Sequence, residues 1–338
     1  MRLPPPSAAG ERDAGAWQGS SHLRALLVAL GCASCGGQQQ FAELGDFTTS
    51  RGEVIRDCRL GYRTYGRLDA KRSNAVLITP WFLGTSGALG REIGGPGLID
   101  SSRFFVVAVD SLGNGVSSSP SNSPLQPGIG FPRLSMEDLV RSQRRLLTNV
   151  LGIHHLHAVV GTSMGGMQAL GWATGEPTFA DVVVSIAGSP RSTEGDRRHW
   201  ESARIAVRST GAWRRALQAL GRLAPLEAFR QLTMDKEDFL VQAEAVQTLD
   251  LTTKTGGSLE RLAAEVRTRL LLVLSERDEV VDPAPAREFA RLSGAELLLL
   301  DGRCGHRAVT CERKRVLAAV RRFLEPEQDS SQGASGTR

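Results

Sequence analysis

Six short, nearly continuous apolar runs constrain this chain more than any other feature; they cover residues 74–79, 104–109, 156–160, 182–186, 270–274 and 297–300. Runs of this length, rich in Val, Ile and Leu, suit strands buried on both faces. Apolar residues at helical spacing cover 136–151, where Ser135 is placed to cap the helix, and recur over 164–173, 283–292 and 311–324. Strands alternating with helices predict an α/β fold, a mostly parallel sheet with helices on both faces. Residues 54–65 alternate apolar and polar side chains, which predicts a hairpin or two edge strands. Residues 190–265 show helical patterns and no strand. An insertion there sits over the carboxyl ends of the strands, where open α/β sheets bind ligands, and is predicted to be a helical cap.

The folded body is therefore expected at 41–189 and 266–325, with the cap at 190–265 between its two parts. Residues 326–338, rich in Ser and Gly, read as a disordered tail. Residues 1–40 read as a leader, disordered or signal-like. Inside it an apolar stretch from Leu23 to Leu30 precedes Gly31-Cys32, which suits a lipid-attachment cysteine. The chain is expected either in the cytoplasm or exported and lipid-anchored through Cys32. No apolar run reaches the about 18 residues of a membrane-spanning helix. Cys32 and Cys35 form a C-x-x-C with no second pair to complete a zinc site, and no metal is expected. Five cysteines are too few and too scattered for a disulfide scaffold of this length. The net charge of +5 comes from arginines spread along the chain, with lysine only at 71, 236, 254 and 314. Without a clustered basic stripe, no nucleic-acid partner is expected.

The chemistry is concentrated at Gly161-Thr162-Ser163-Met164-Gly165, a G-x-S-x-G pattern. It follows the apolar run ending at Val160 and opens the helical pattern at Met164, giving the strand–turn–helix elbow that exposes a nucleophilic serine. Small residues are needed because a Cβ beside so sharp a turn meets the crossing strand and helix. A serine hydroxyl needs a base to take its proton. Of the six histidines only His306 follows a late strand; His154, His155 and His157 lie around the nucleophile strand and read as structural, and His199 falls in the cap as a weaker substrate-contact candidate. The acid that orients the imidazole should precede it in the chain. Asp278, in the turn after the run at 270–274, stands there, with Glu276 and Asp282 as neighbours able to substitute. The oxyanion hole takes one N–H from Met164 and a second from the loop Pro80-Trp81-Phe82-Leu83-Gly84, either Phe82 or Leu83, since Pro80 has no N–H.

These residues resemble the homoserine O-acetyltransferase family of the α/β-hydrolase superfamily. The resemblance runs from about Gly61 to Phe323 and is carried by Gly61-Tyr62-Arg63-Thr64-Tyr65-Gly66, by Asp110-Ser111-Leu112-Gly113-Asn114-Gly115, by Phe131-Pro132 with Asp138, Val140 and Gln143, and most specifically by Ser163-Met164-Gly165-Gly166-Met167-Gln168-Ala169-Leu170-Gly171-Trp172-Ala173. It implies the α/β-hydrolase fold, a homodimer and a two-step transfer of an acyl group from acyl-CoA, a co-substrate rather than a bound cofactor, through the serine to a small hydroxyl acceptor. It also implies that Arg204, in Trp200-Glu201-Ser202-Ala203-Arg204, holds the acceptor's carboxylate, a task suited to a two-pronged donor. The chain departs from the family in three places, one of them a cap shorter than in the acyltransferases. Arg307 follows the histidine where the family carries an aspartate that binds the ammonium of homoserine, so Arg307 is the substrate contact in question. The loop Pro80 to Gly84 replaces the family's H-A-L-T-G.

Two functions are consistent with these residues: an acyltransferase acting on a small hydroxyl acceptor, and an ester hydrolase in which water takes the acyl group. Both act on a small-molecule substrate. A non-catalytic binding module on the same fold predicts a broken elbow or triad, and neither is broken.

Overall fold

The structure, a computed structural model, describes residues 37–209 and 235–325. The C-x-x-C at Cys32 and Cys35, the middle of the cap at 210–234 and the tail at 326–338 lie outside the described residues.

One eight-stranded sheet organises the fold. Its strands are β1 (Gln40–Thr48), β2 (Val54–Tyr65), β3 (Ala75–Thr79), β4 (Phe105–Val109), β5 (Leu156–Thr162), β6 (Ala180–Ile186), β7 (Arg269–Ser275) and β8 (Glu296–Leu300). They lie in the order β1-β2-β4-β3-β5-β6-β7-β8. β2 runs antiparallel to β1 and to β4, and every pairing from β4 through β8 is parallel. All six apolar runs are strands of the parallel part.

Residues 54–65 form one strand, not a hairpin. Asp57 takes φ +47° inside it, and the β1 register shifts between Glu43 and Phe47, so the ladder absorbs the irregularity as a bulge. The fold also begins before residue 41. Gln40 pairs with Tyr62, and the Gln39 amide donates to buried Asp110 at 2.9 Å. The end of the leader is thus part of the sheet edge.

Among the described residues the α-helices are α1 (Ser86–Leu89), α2 (Met136–Arg145), α3 (Met164–Gly175), α4 (Glu194–Ser209), α5 (Lys236–Gln247), α6 (Leu259–Ala264), α7 (Ala284–Ser293), α8 (Ala308–Cys311) and α9 (Arg313–Leu324). Ser135 caps α2 in a capping box with Asp138. Its α-helix stops at Arg145, earlier than the spacing predicts, and Leu146–Val150 continue as a π-helical turn. Because successive strand residues point to opposite faces, the parallel strands feed two cores. Leu77, Val107, Val159 and Leu272 pack with Leu139 of α2, Leu170 of α3 and Phe289 of α7 on one face. Val76, Val106, Val160 and Val273 pack with Val316, Val320 and Phe323 of α9 on the other. Full burial of side chains of this size contributes about 1.5–3 kcal/mol each. The described residues between β6 and β7 are helices and turns apart from one bridge, Arg191 to Asp250.

Candidate active site

β5 ends at Thr162 and α3 begins at Met164, so Ser163 alone makes the turn, at φ +58° and ψ −121°. That backbone conformation is strained for a residue with a side chain, and its surroundings hold it. The Ser163 N–H donates to the Ile186 carbonyl of β6 at 2.7 Å. Thr79, on β3, donates its hydroxyl to the Gly165 carbonyl at 2.9 Å. The two flanking glycines are sterically required: a Cβ at Gly161 would stand 2.1 Å from the Gly165 oxygen, and one at Gly165 would stand 2.3 Å from the Thr79 oxygen.

Asp278 and His306 arrive on the loops after β7 and β8. The His306 Nε2 lies 2.9 Å from Ser163 Oγ, and its Nδ1 lies 2.7 Å from Asp278 Oδ2. The second oxygen of Asp278 accepts from the N–H groups of Val280 and Val281 at 2.9 and 3.0 Å. A carboxylate only accepts, so Nδ1 carries the hydrogen and Nε2 presents its lone pair to the serine. Asp278 is 2% exposed and His306 16%. The low-dielectric setting strengthens both bonds. The two neighbouring acids are engaged elsewhere. Glu276 pairs with Arg287, and Asp282 accepts from the Ala284 N–H at 2.9 Å beside the start of α7. Among the described residues, His155 bonds Asp181 at the surface, and His157 bonds the Leu324 carbonyl and stacks on Phe104. His199 stands edge-on to Trp200 in the cap.

The loop after β3 makes a turn closed by the Gly84 N–H on the Trp81 carbonyl at 2.8 Å, with Leu83 at φ +64°. The Leu83 N–H is committed to Gln242 Oε1 of α5 at 3.1 Å. The Phe82 N–H has no partner among the described residues. Met164 opens α3, where helix N–H groups lack intrahelical partners. The Phe82 ring is gripped edge-on by Trp200 of α4 (4.8 Å between centroids) and Phe239 of α5 (5.2 Å).

Arg204 does not present a free guanidinium. It is 11% exposed, bonds Glu244 at 3.0 Å and Glu201 at 3.3 Å, and also bonds Gln247, tying α4 to α5. Arg307 is exposed, one residue beyond the histidine.

The sequence reading missed two features of this site. One is Gln242, an amide inside an apolar helical pattern, which carries no motif. The other is a disulfide between Cys304 and Cys311, which encloses His306. Its only trace in sequence is two cysteines bracketing the histidine, and cysteine spacing by itself does not report pairing. Cys58, the free cysteine among the described residues, is buried, and burial pushes its thiol up to about 12.

A family model described as "alpha/beta hydrolase fold" matches residues 76–203. The chain is 36% identical over 162 residues to the ethyl acetate hydrolase of Pseudomonas veronii, a match covering 47% of this chain and 46% of that protein. It is 35% identical over 189 residues to the homoserine O-acetyltransferase of Geotalea daltonii, covering 50% and 51%. The matched stretch thus spans about half the length of both curated relatives. Among solved structures, the acetyl esterase MekB superimposes with a TM-score of 0.77 at 25% identity, over 86% of this chain and 97% of that one. Strand order, elbow and these likenesses agree on the α/β-hydrolase fold.

Proposed function

We propose that this chain is a serine ester hydrolase for esters of short acyl groups, working through an acyl-enzyme on Ser163. The observation that carries the reading is His306, bonded at once to Ser163 and to a buried, doubly anchored Asp278. Ser163 Oγ attacks the ester carbonyl while His306 Nε2 takes its proton. Asp278 holds the imidazole in that tautomer and stabilises the imidazolium. The charge developing on the carbonyl oxygen meets the N–H groups of Met164 and Phe82. Collapse breaks the ester C–O bond, and His306 returns the proton to the departing alcohol. Water then repeats the sequence on the acyl-serine and releases the acid.

Two observations favour water over an amino-acid acceptor. Arg204, the expected carboxylate holder, is spent on Glu201, Glu244 and Gln247. Arg307 follows the histidine where the homoserine acyltransferases carry an aspartate for the substrate ammonium, a cation in place of that anion. The ethyl acetate hydrolase and the acetyl esterase are the likenesses that support a short acyl group. The second reading, transfer from acyl-CoA to a hydroxyl acceptor, is favoured by the elbow from Ser163 to Ala173. A homodimer belongs with that reading.

The test is turnover of p-nitrophenyl acetate, butyrate and octanoate, set beside CoA release from acetyl-CoA with and without L-homoserine, with Ser163→Ala as blank. Ser163-dependent hydrolysis that falls with chain length, and no homoserine-dependent CoA release, is the expected result. Homoserine-dependent CoA release would establish the transferase instead.

A further inference from the structure

The cap helix α5 places a buried amide against the loop expected to supply half of the oxyanion hole. Gln242 is 1% exposed. Its Oε1 accepts from the Leu83 N–H at 3.1 Å, and its Nε2 donates to the Leu112 carbonyl at 3.3 Å. One side chain thus ties three segments: α5, the loop after β3 and the loop after β4. A buried amide with both ends engaged has a single orientation, because reversing it would put donor against donor and acceptor against acceptor.

Leu83 needs such a tie. A leucine at φ +64° is disfavoured, and nothing in its own side chain favours that region. Without the Gln242 oxygen its N–H would be buried and unpaired, since Leu83 is 8% exposed. Relaxation of Leu83 would rotate the peptide planes of the turn, and the Phe82 N–H would move with them. The Phe82 ring, held between Trp200 and Phe239, fixes the side chain but leaves the peptide plane free to tilt.

We infer that Gln242 is a positioning residue for catalysis: by holding the Leu83 N–H it withdraws that group from the reaction and aims the Phe82 N–H, with that of Met164, at the oxygen of the tetrahedral intermediate. This rests on the ester-hydrolase reading only for its substrate. The geometric role applies to any acyl transfer through Ser163. It also decides between the two candidate donors in favour of Phe82.

The test uses the full chain with Gln242→Met and Gln242→Leu. Gln242→Met keeps the length of the side chain and its packing on α5 while removing both hydrogen bonds. Two rates are read: kcat and KM for p-nitrophenyl acetate, and the second-order rate at which diethyl p-nitrophenyl phosphate modifies Ser163, followed by intact mass. The second reaction needs the serine and the oxyanion donors but no acyl acceptor. The expected result is a fall in kcat of about 10–100-fold with KM changed less than about threefold, and a matching fall in the modification rate. A modification rate within about twofold of wild type in a folded Gln242→Met protein would overturn the inference. So would a rise in KM with kcat unchanged, which marks a substrate contact. If the Leu variant does not fold, the Met variant decides alone. If wild type turns over no ester yet is modified at Ser163, the hydrolase reading fails and Gln242 is still judged on the modification rate.

Discussion

The hydroxyl of Thr79 donates to the carbonyl of Gly165 across 2.9 Å, pinning the first turn of α3 to the end of β3. Thr79 is wholly buried, and its backbone oxygen is also the atom that a side chain at 165 would strike. The elbow is therefore held by one residue both through a bond and through exclusion. Thr79→Val is expected to lower stability by about 1–2 kcal/mol and to reduce kcat by loosening Ser163, as read by urea unfolding and ester turnover. Gly161→Ala is expected to abolish activity outright, because no rotation relieves a 2.1 Å approach to backbone.

Asp278→Asn is expected to cost about 10⁴-fold in kcat while leaving the fold intact. The Val280 and Val281 N–H groups require an acceptor, so the amide oxygen would face them and the NH₂ would face His306. The imidazole would then carry its hydrogen on Nε2, pointing it at Ser163, which must lose a proton and not receive one. Ester turnover at saturating substrate checks this. A loss under about tenfold would show that Asp278 is not the orienting acid.

Reducing the Cys304–Cys311 bond, or replacing either residue with serine, is expected to destabilise the protein by about 2–3 kcal/mol from the freed loop. Because the ring carries His306, kcat should fall while KM holds. Thermal unfolding and turnover before and after reduction, followed by reoxidation, measure both effects.

Arg204→Met is expected to lower stability by about 2–3 kcal/mol, because it leaves Glu244 facing Glu201 with no cation between them. KM for neutral aryl esters should stay within twofold. A protein that used Arg204 to hold a carboxylate would instead keep its stability and lose affinity for the charged acceptor.

Asp238, on α5, accepts from Ser121 at 2.6 and 2.9 Å, and burial holds its carboxyl above the usual range. A carboxyl raised in the folded state binds its proton more tightly there than in the unfolded chain. Its contribution to stability is present at acid pH and is lost as pH climbs through the raised value. Asp238→Asn removes that titration. The difference in Tm, variant minus wild type, should grow more positive from pH 4 to pH 8.

The strands were legible because each parallel strand is apolar on both faces, a pattern that few other structures produce. The elbow, the acid and the histidine were legible because chain order and loop position fix them. What remained hidden depends on contacts between segments far apart in sequence. Gln242 is 159 positions from Leu83, and nothing in either stretch announces the other. The alternation over residues 54–65 suits a hairpin or two edge strands as well as one long strand, and only the pairing with β1, bulged opposite Asp57, shows that it is one. Arg204 sits in a sequence context similar to an acceptor-binding arginine. Only the positions of Glu244 and Gln247 on the facing helix show how its guanidinium is engaged.

Phe82 sits between Trp200 and Phe239 while Gln242 holds the next peptide, and this limits how the enzyme can be rebuilt. On the proposed role of Gln242, the inserted helices are not a hinged cover laid over a finished machine; part of the machine hangs from them. Grafting a foreign cap onto this body would keep the serine, the histidine and the aspartate in register and still yield a poor catalyst unless the graft brought its own wedge for the phenylalanine and its own amide for the turn. New substrate preferences can be sought by changing residues of the insertion other than Trp200, Phe239 and Gln242, but wholesale exchange is expected to take the proposed Phe82 oxyanion donor with it.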